Sequence, residues 1–403
     1  MRRRLYMRRI ALVIALMTVG CAAQPVSPQS QKNFPDIFQK QPFNSPWITR
    51  KLTRNALPSQ MVVGTRGYIW VADVGTSAIS RVDMRSGARS FPISFAPNAI
   101  VIGADQNIWV SAYSGGIVAR VTPSGVETDF GIGDPSATIS QMIVGSDGAN
   151  WFSVFESGGN NYLGRMDISG NYSLYSVPAA GSLTNGPDGN IWFTDGTNLN
   201  AMNTRGQIIA QYPFTDFGDL TTVGPDGNMW FTAGDHVDRI TTSGQITPFP
   251  APNNGLYDIT NWSGKLWMTD RSFQTDSLVS FNPTTMTFGA LVPSPHRLRR
   301  IITGQDGNFW MTGLNASISI YVNQILSVDP TKLDLHVGQK TGNTITVTES
   351  NYVGTWAASY RGPISVVQSS PGVFTVTAIG PGSGKVEIND SMHNSTSVPV
   401  TVE

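Results

Sequence analysis

The sequence is poor in cysteine, histidine and charge. Of its 403 residues one is Cys, four are His and only 13% are charged, where about 25% is usual. One Cys excludes an intramolecular disulfide framework and any multi-cysteine zinc site. A formal net charge of +0 supplies no overall basic field, so no nucleic-acid partner is expected. No apolar run reaches the roughly 20 residues of a transmembrane helix. The P-loop, H-E-x-x-H and G-x-S-x-G signatures are all missing. What is abundant is Gly (41), Pro (25) and Trp (10). That mixture excludes a coiled coil, and 40% apolar content excludes a disordered chain. The length suggests two or three domains.

Residues 1–9 hold five Arg and no acid, and residues 10–20 are apolar. This is the pattern of a secretory signal peptide. Thr18-Val19-Gly20-Cys21 resembles a bacterial lipobox, with Thr18 where Leu is usual, which makes Cys21 the candidate lipidation site. Residues 21–46, rich in Gln, Ser and Pro, read as a flexible tether. The expected location is the cell envelope, attached to the membrane through a lipid. Without residues 1–20 the chain carries 22 basic against 27 acidic residues.

Aligning the Trp residues exposes a repeat. GPDGNIWFTD (186–195) recurs as GPDGNMWFTA (224–233) and GQDGNFWMTG (304–313), with looser copies at 64–73, 103–112, 145–154 and 261–270. The anchors are Trp70, Trp109, Trp151, Trp192, Trp230, Trp267 and Trp310, spaced by 37 to 43 residues. A period near forty built from short strands and turns is the signature of a β-propeller with four strands per blade. Seven copies predict seven blades over 47–326. The turn aspartates Asp105, Asp147, Asp188, Asp226 and Asp306 read as turn formers. The last copy lacks a fourth strand, whereas residues 48–53 form an orphan strand before the first copy. Pairing the two would close the ring and remove an open sheet edge. Residues 327–403 drop the Trp repeat and show short alternating runs, as in a β-sandwich. The expected fold class is therefore all-β, a seven-bladed β-propeller followed by a small sandwich. This last segment resembles bacterial Ig-like domains of the group 2 type, with Trp356 in its core.

The GPDGNIWFT-type motif over residues 47–326 resembles the streptogramin-lyase propellers. The resemblance implies elimination chemistry on a cyclic lactone, with Mg²⁺ and a His base on one propeller face. In that family the His stands eleven residues before the Trp. Here those positions are Ser59, Asn98, Ser140, Gly181, Asp219, Leu256 and Arg299. The two propeller histidines, His296 and His236, become the candidate catalytic residues. Asp73, Asp195 and Asp270 stand where the family often has Glu, so Asp195 and Asp270 are candidate Mg²⁺ contacts or strand-end caps. The run His296-Arg297-Leu298-Arg299-Arg300 is the densest positive patch. Arg297, Arg299 and Arg300, facing Asp219 or Asp258, read as a solvated loop or an anion-binding site. The sequence thus leaves three functions open. The chain is a non-catalytic protein binding a small molecule, glycan or protein at the propeller face, a lyase-like enzyme, or a structural envelope component. A monomer is expected.

Overall fold

The computed structural model describes residues 47–403 except 84–86, 214–220, 273–275, 315, 323–325, 350–354 and 391–394. The signal peptide, Cys21 and the tether lie outside the described residues.

Seven antiparallel sheets follow one another along the chain, the first six each formed by a meander of neighbouring strands. The first strands of the blades, such as Pro58–Val63, Pro97–Ile102 and Thr138–Val144, pack against one another in ring order and line the centre. The ring closes where Pro58–Val63 meets Ile301–Thr303. Together these sheets form a seven-bladed β-propeller. In the seventh blade, Trp47–Lys51 pairs antiparallel with Ser317–Tyr321, with Trp47 opposite Tyr321 and Lys51 opposite Ser317. The orphan strand therefore completes the last blade as its outermost strand and covers the edge that Ser317–Tyr321 would otherwise expose.

Local chemistry explains why the repeat reads G-x-D-G-N-x-W. The indoles of Trp109, Trp151, Trp192, Trp230 and Trp310 are fully buried, so each ring N–H needs an acceptor. Oδ1 of the turn aspartate four residues earlier supplies it, at 2.8–3.2 Å in all five blades. The same oxygen accepts the backbone N–H two residues on. The leading glycine is dictated by the ring. A Cβ at Gly64, Gly103, Gly145, Gly186, Gly224 or Gly304 would lie 2.1–2.6 Å from the indole.

A second aromatic joins neighbouring blades. Fourth-strand residues Phe91, Phe130, Tyr175, Tyr212 and Phe249 pack on the Trp of their own blade at centroid distances of 5.4–5.8 Å. Such pairs contribute about 0.5–1.5 kcal/mol each beyond area burial. Phe130, Tyr175 and Tyr212 also press on a turn glycine of the next blade. A Cβ at Gly170, Gly206 or Gly244 would meet those rings at 2.0–2.2 Å.

Downstream, two four-stranded sheets enclose a separate core of Val328, Leu335, Ile345, Phe374, Val386, Val398 and their neighbours. This sandwich is antiparallel apart from Leu333–Leu335, which runs parallel to the end of Ser395–Val402. Trp356 packs against the core and donates its Nε1–H to Glu349 at 2.9 Å.

Burial tends to raise the turn carboxyls. Hydrogen bonds from the following Asn, from the indole and from the backbone outweigh it, holding Asp105, Asp188 and Asp226 below the ordinary carboxylate range. Deeper burial reverses the balance at Asp306. The lowered groups contribute stability that is complete above the unfolded value of about 3.9. That contribution is lost as pH falls through the lower folded values. The urea midpoint should therefore drop steeply below about pH 4, with a shallower slope in Asp188→Asn. At neutral pH, Asp226→Ala should cost about 1–3 kcal/mol by leaving the Trp230 N–H unpaired.

Candidate functional site

One end of the ring, the upper face, gathers the starts of the first strands and the ends of the second. The register of the first strand breaks there in blades one, two, three and six, between Pro58 and Met61, Pro97 and Ile100, Ile139 and Met142, and Leu256 and Asp258. Such bulges re-aim side chains. They hold Ser59, Asn98, Ser140 and Tyr257, four polar residues at or next to the positions eleven before the Trp.

In the first three blades these groups strap one blade to the next. Ser59 donates to the Asn98 carbonyl at 2.6 Å, and Asn98 donates to the Ile139 carbonyl at 2.9 Å. Gln141 accepts the Leu183 N–H at 2.8 Å. The hydroxyl two residues after the Trp works in both directions. Ser111 accepts the Ala99 N–H and donates to the Ile139 carbonyl of the next blade. Thr269 accepts the Asp258 N–H at 3.1 Å and donates to the Arg299 carbonyl at 3.0 Å. Ser153 and Thr232 reach the Gly181 and Tyr257 carbonyls in the same way.

The candidate carboxylates are largely engaged by their own loops. Asp195 accepts hydrogen bonds from the Thr197 and Asn198 backbones and from the Asn198 and Asn200 side chains. Burial would raise its carboxyl, but these donors hold it below the usual range. Asp270, fully buried, accepts from Ser272 N–H and Asn253 Nδ2. Asp73 accepts from Leu57 and Gly75 N–H. Asp258 ties blade six to blade seven, taking the Ile259 and Ile301 N–H groups at 2.8 Å each. Burial pushes its carboxyl up, against the pull of Arg300 and the two amides. Asp219 lies outside the described residues.

The histidines do not meet. His296 points its Nε2 at Thr49 Oγ1, 2.8 Å away on the outermost strand of blade seven. Its loop is turned by Ser294 and by buried Asp276, a residue the repeat pattern did not mark. Asp276 accepts the Leu298 N–H at 2.6 Å and holds Arg297 Nε at 3.2 Å. His236 sits on the third strand of blade five between Asp235 at 2.6 Å and Asp238 at 3.3 Å.

Arg299 and Arg300 stay at the upper end of blade seven's first strand, where the Thr312 carbonyl and hydroxyl accept their N–H groups. Sequence reasoning missed two neighbours. Arg271 directly follows Asp270, and its guanidinium lies 4.5 Å from the centre of the Tyr257 ring. Arg299 is half-buried. Burial lowers its pKa, Tyr257 opposes that effect, and the like charges of Arg271 and Arg300 add to it. The Nε atoms of both Arg271 and Arg299 are buried and have no hydrogen-bond partner among the described residues. Extending the repeat alignment one residue past Asp270 would have exposed Arg271, because the equivalent positions are Val74, Tyr113, Phe155, Gly196, Gly234 and Leu314. This arrangement does not fit Mg²⁺, which needs oxygen ligands and carboxylates. Asp195 and Asp270 stand on different blades with their oxygens engaged. Among the described residues no three His, Cys, Asp or Glu groups come together to hold a metal ion.

A family model described as the virginiamycin B lyase family matches residues 48–218 and 92–365. No curated protein sequence matches. Among solved structures, virginiamycin B lyase from Staphylococcus aureus superposes with a TM-score of 0.61 at 22% identity, over 68% of this chain and 98% of that one. A streptogramin B lyase gives 0.61 at 20%, over 68% and 96%. The extracellular domain of a hybrid two-component system from B. thetaiotaomicron gives 0.57 at 12%, over 88% and 57%.

Thr269→Val should remove both hydrogen bonds of that hydroxyl, one within blade six and one to blade seven, and cost about 1–3 kcal/mol in urea unfolding. His296→Ala, which frees only a partly buried hydroxyl, should stay within about 1 kcal/mol.

Proposed function

The chain belongs to the virginiamycin B lyase family, and from that premise we propose that it is a non-catalytic member, an envelope protein whose propeller binds a ligand at the upper face. The observation that carries this reading is the chemistry eleven residues before each Trp. A base must lie within reach of the proton it removes. The resemblance implies His there, and this chain has Ser59, Asn98, Ser140, Gly181, Asp219, Leu256 and Arg299 instead. His296 and His236 are directed to Thr49 and to two aspartates. Polar and cationic groups at the mouth suit binding better than proton abstraction. Cys21 carries the lipid that holds the protein to the membrane, and the sandwich is an Ig-like module that serves as spacer or adhesion unit.

Two experiments test this. Purified protein incubated with Mg²⁺ and a type B streptogramin should leave the ring intact by mass spectrometry. Linear product that disappears in His296→Ala would overturn the non-catalytic reading in favour of the lyase. Cys21→Ser should move the expressed protein from the membrane to the soluble fraction, and unchanged membrane association would reject the lipid anchor.

A further inference from the structure

We propose that Arg271 and Arg299, with the Tyr257 ring against the former, form an oxyanion site between blades six and seven that takes the carboxylate of a small organic acid. The proposal rests on the reading of the upper face as a binding face and names the chemistry it binds. Two guanidinium groups from adjacent blades are brought into one another's field. Arginine cannot shed its proton to relieve this. The neighbouring arginines are balanced. Arg297 holds Asp276, and Arg300 lies in the field of Asp258. Among the described residues Arg271 and Arg299 have no such carboxylate, and each keeps a buried Nε–H without an acceptor. Arg239 also has an orphaned Nε, but it lies over Phe249 in blade five. Among the described residues, only between blades six and seven do two such groups come from adjacent blades within one another's field.

The geometry selects the ligand class. A guanidinium presents paired N–H donors in a fixed planar fork, which matches the two oxygens of a carboxylate. Contact with the Tyr257 ring at 4.5 Å holds Arg271 in place. The anion would neutralise the repulsion between the two guanidinium groups.

The test compares glucuronate, glucose 6-phosphate and glucose by calorimetric titration of the purified protein. Glucuronate should bind and glucose should not. Arg271→Gln and Arg299→Gln should each weaken glucuronate tenfold or more, while Arg239→Gln changes it less than twofold. Without ligand, Arg299→Gln should melt no lower than the native protein, since it removes an unbalanced charge. If either glutamine variant fails to fold, Tyr257→Leu reads the same site and should weaken glucuronate severalfold. Glucose binding as well as the acids, or acid binding unchanged in both variants, would overturn the site. Tighter binding of glucose 6-phosphate than of glucuronate would overturn the carboxylate assignment. Streptogramin turnover would reject the non-catalytic reading without touching these results. Absence of acid binding would reject this site and leave that reading in place.

Discussion

The buried indole N–H is the constraint from which most of the propeller follows. A Trp at the centre of a packed blade brings a donor that water cannot reach, and an unmet donor there costs about 1–3 kcal/mol. The aspartate four residues earlier meets it, and doing so folds the turn between the first two strands. The ring then leaves space for only a hydrogen on the residue that begins the turn. Its face offers a platform for the fourth-strand aromatic, which in turn needs a glycine in the next blade. One buried donor thus sets residue types at four places in two blades. Blades one and six depart from the rule. Arg66 replaces the aspartate in blade one, and Ser263-Gly264 makes a tighter hairpin in blade six.

The repeat was legible in the sequence because it is local. Gly, Asp and Trp lie within six residues of one another, so their spacing survives in any single copy. The strand at 48–53 could be placed because the last copy lacked what the N-terminal segment had. The blade-to-blade straps were not legible. Ser111, Thr232 and Thr269 look like ordinary alternating strand residues, and only the ring shows that each serves two blades. The site was half legible for the same reason. Arg299 follows from its position in the repeat, whereas Arg271 and Tyr257 reach it from the neighbouring blade. The loop carrying His296 follows Ser294 and Asp276 instead of the repeat.

The two halves of the mouth have different characters. In blades one to three the polar groups satisfy one another and draw the first strands together. At blades six and seven the bulge carries Tyr257, and the flanking loops bring in arginines. A ring of like units acquires a distinct chemistry where a copy breaks the pattern, and here the tight hairpin of blade six accompanies that break.

The latch on blade seven also orders events in time. Thr49 and its partner His296 are separated by 247 residues, and contacts that distant form slowly because the loop between them must first be closed. On a chain emerging from its N-terminus, six blades can assemble from neighbouring segments while residues 47–51 wait. The propeller strand that is made first is thus among the last to find its place, and the ring is a circle only once nearly all of the propeller has been made.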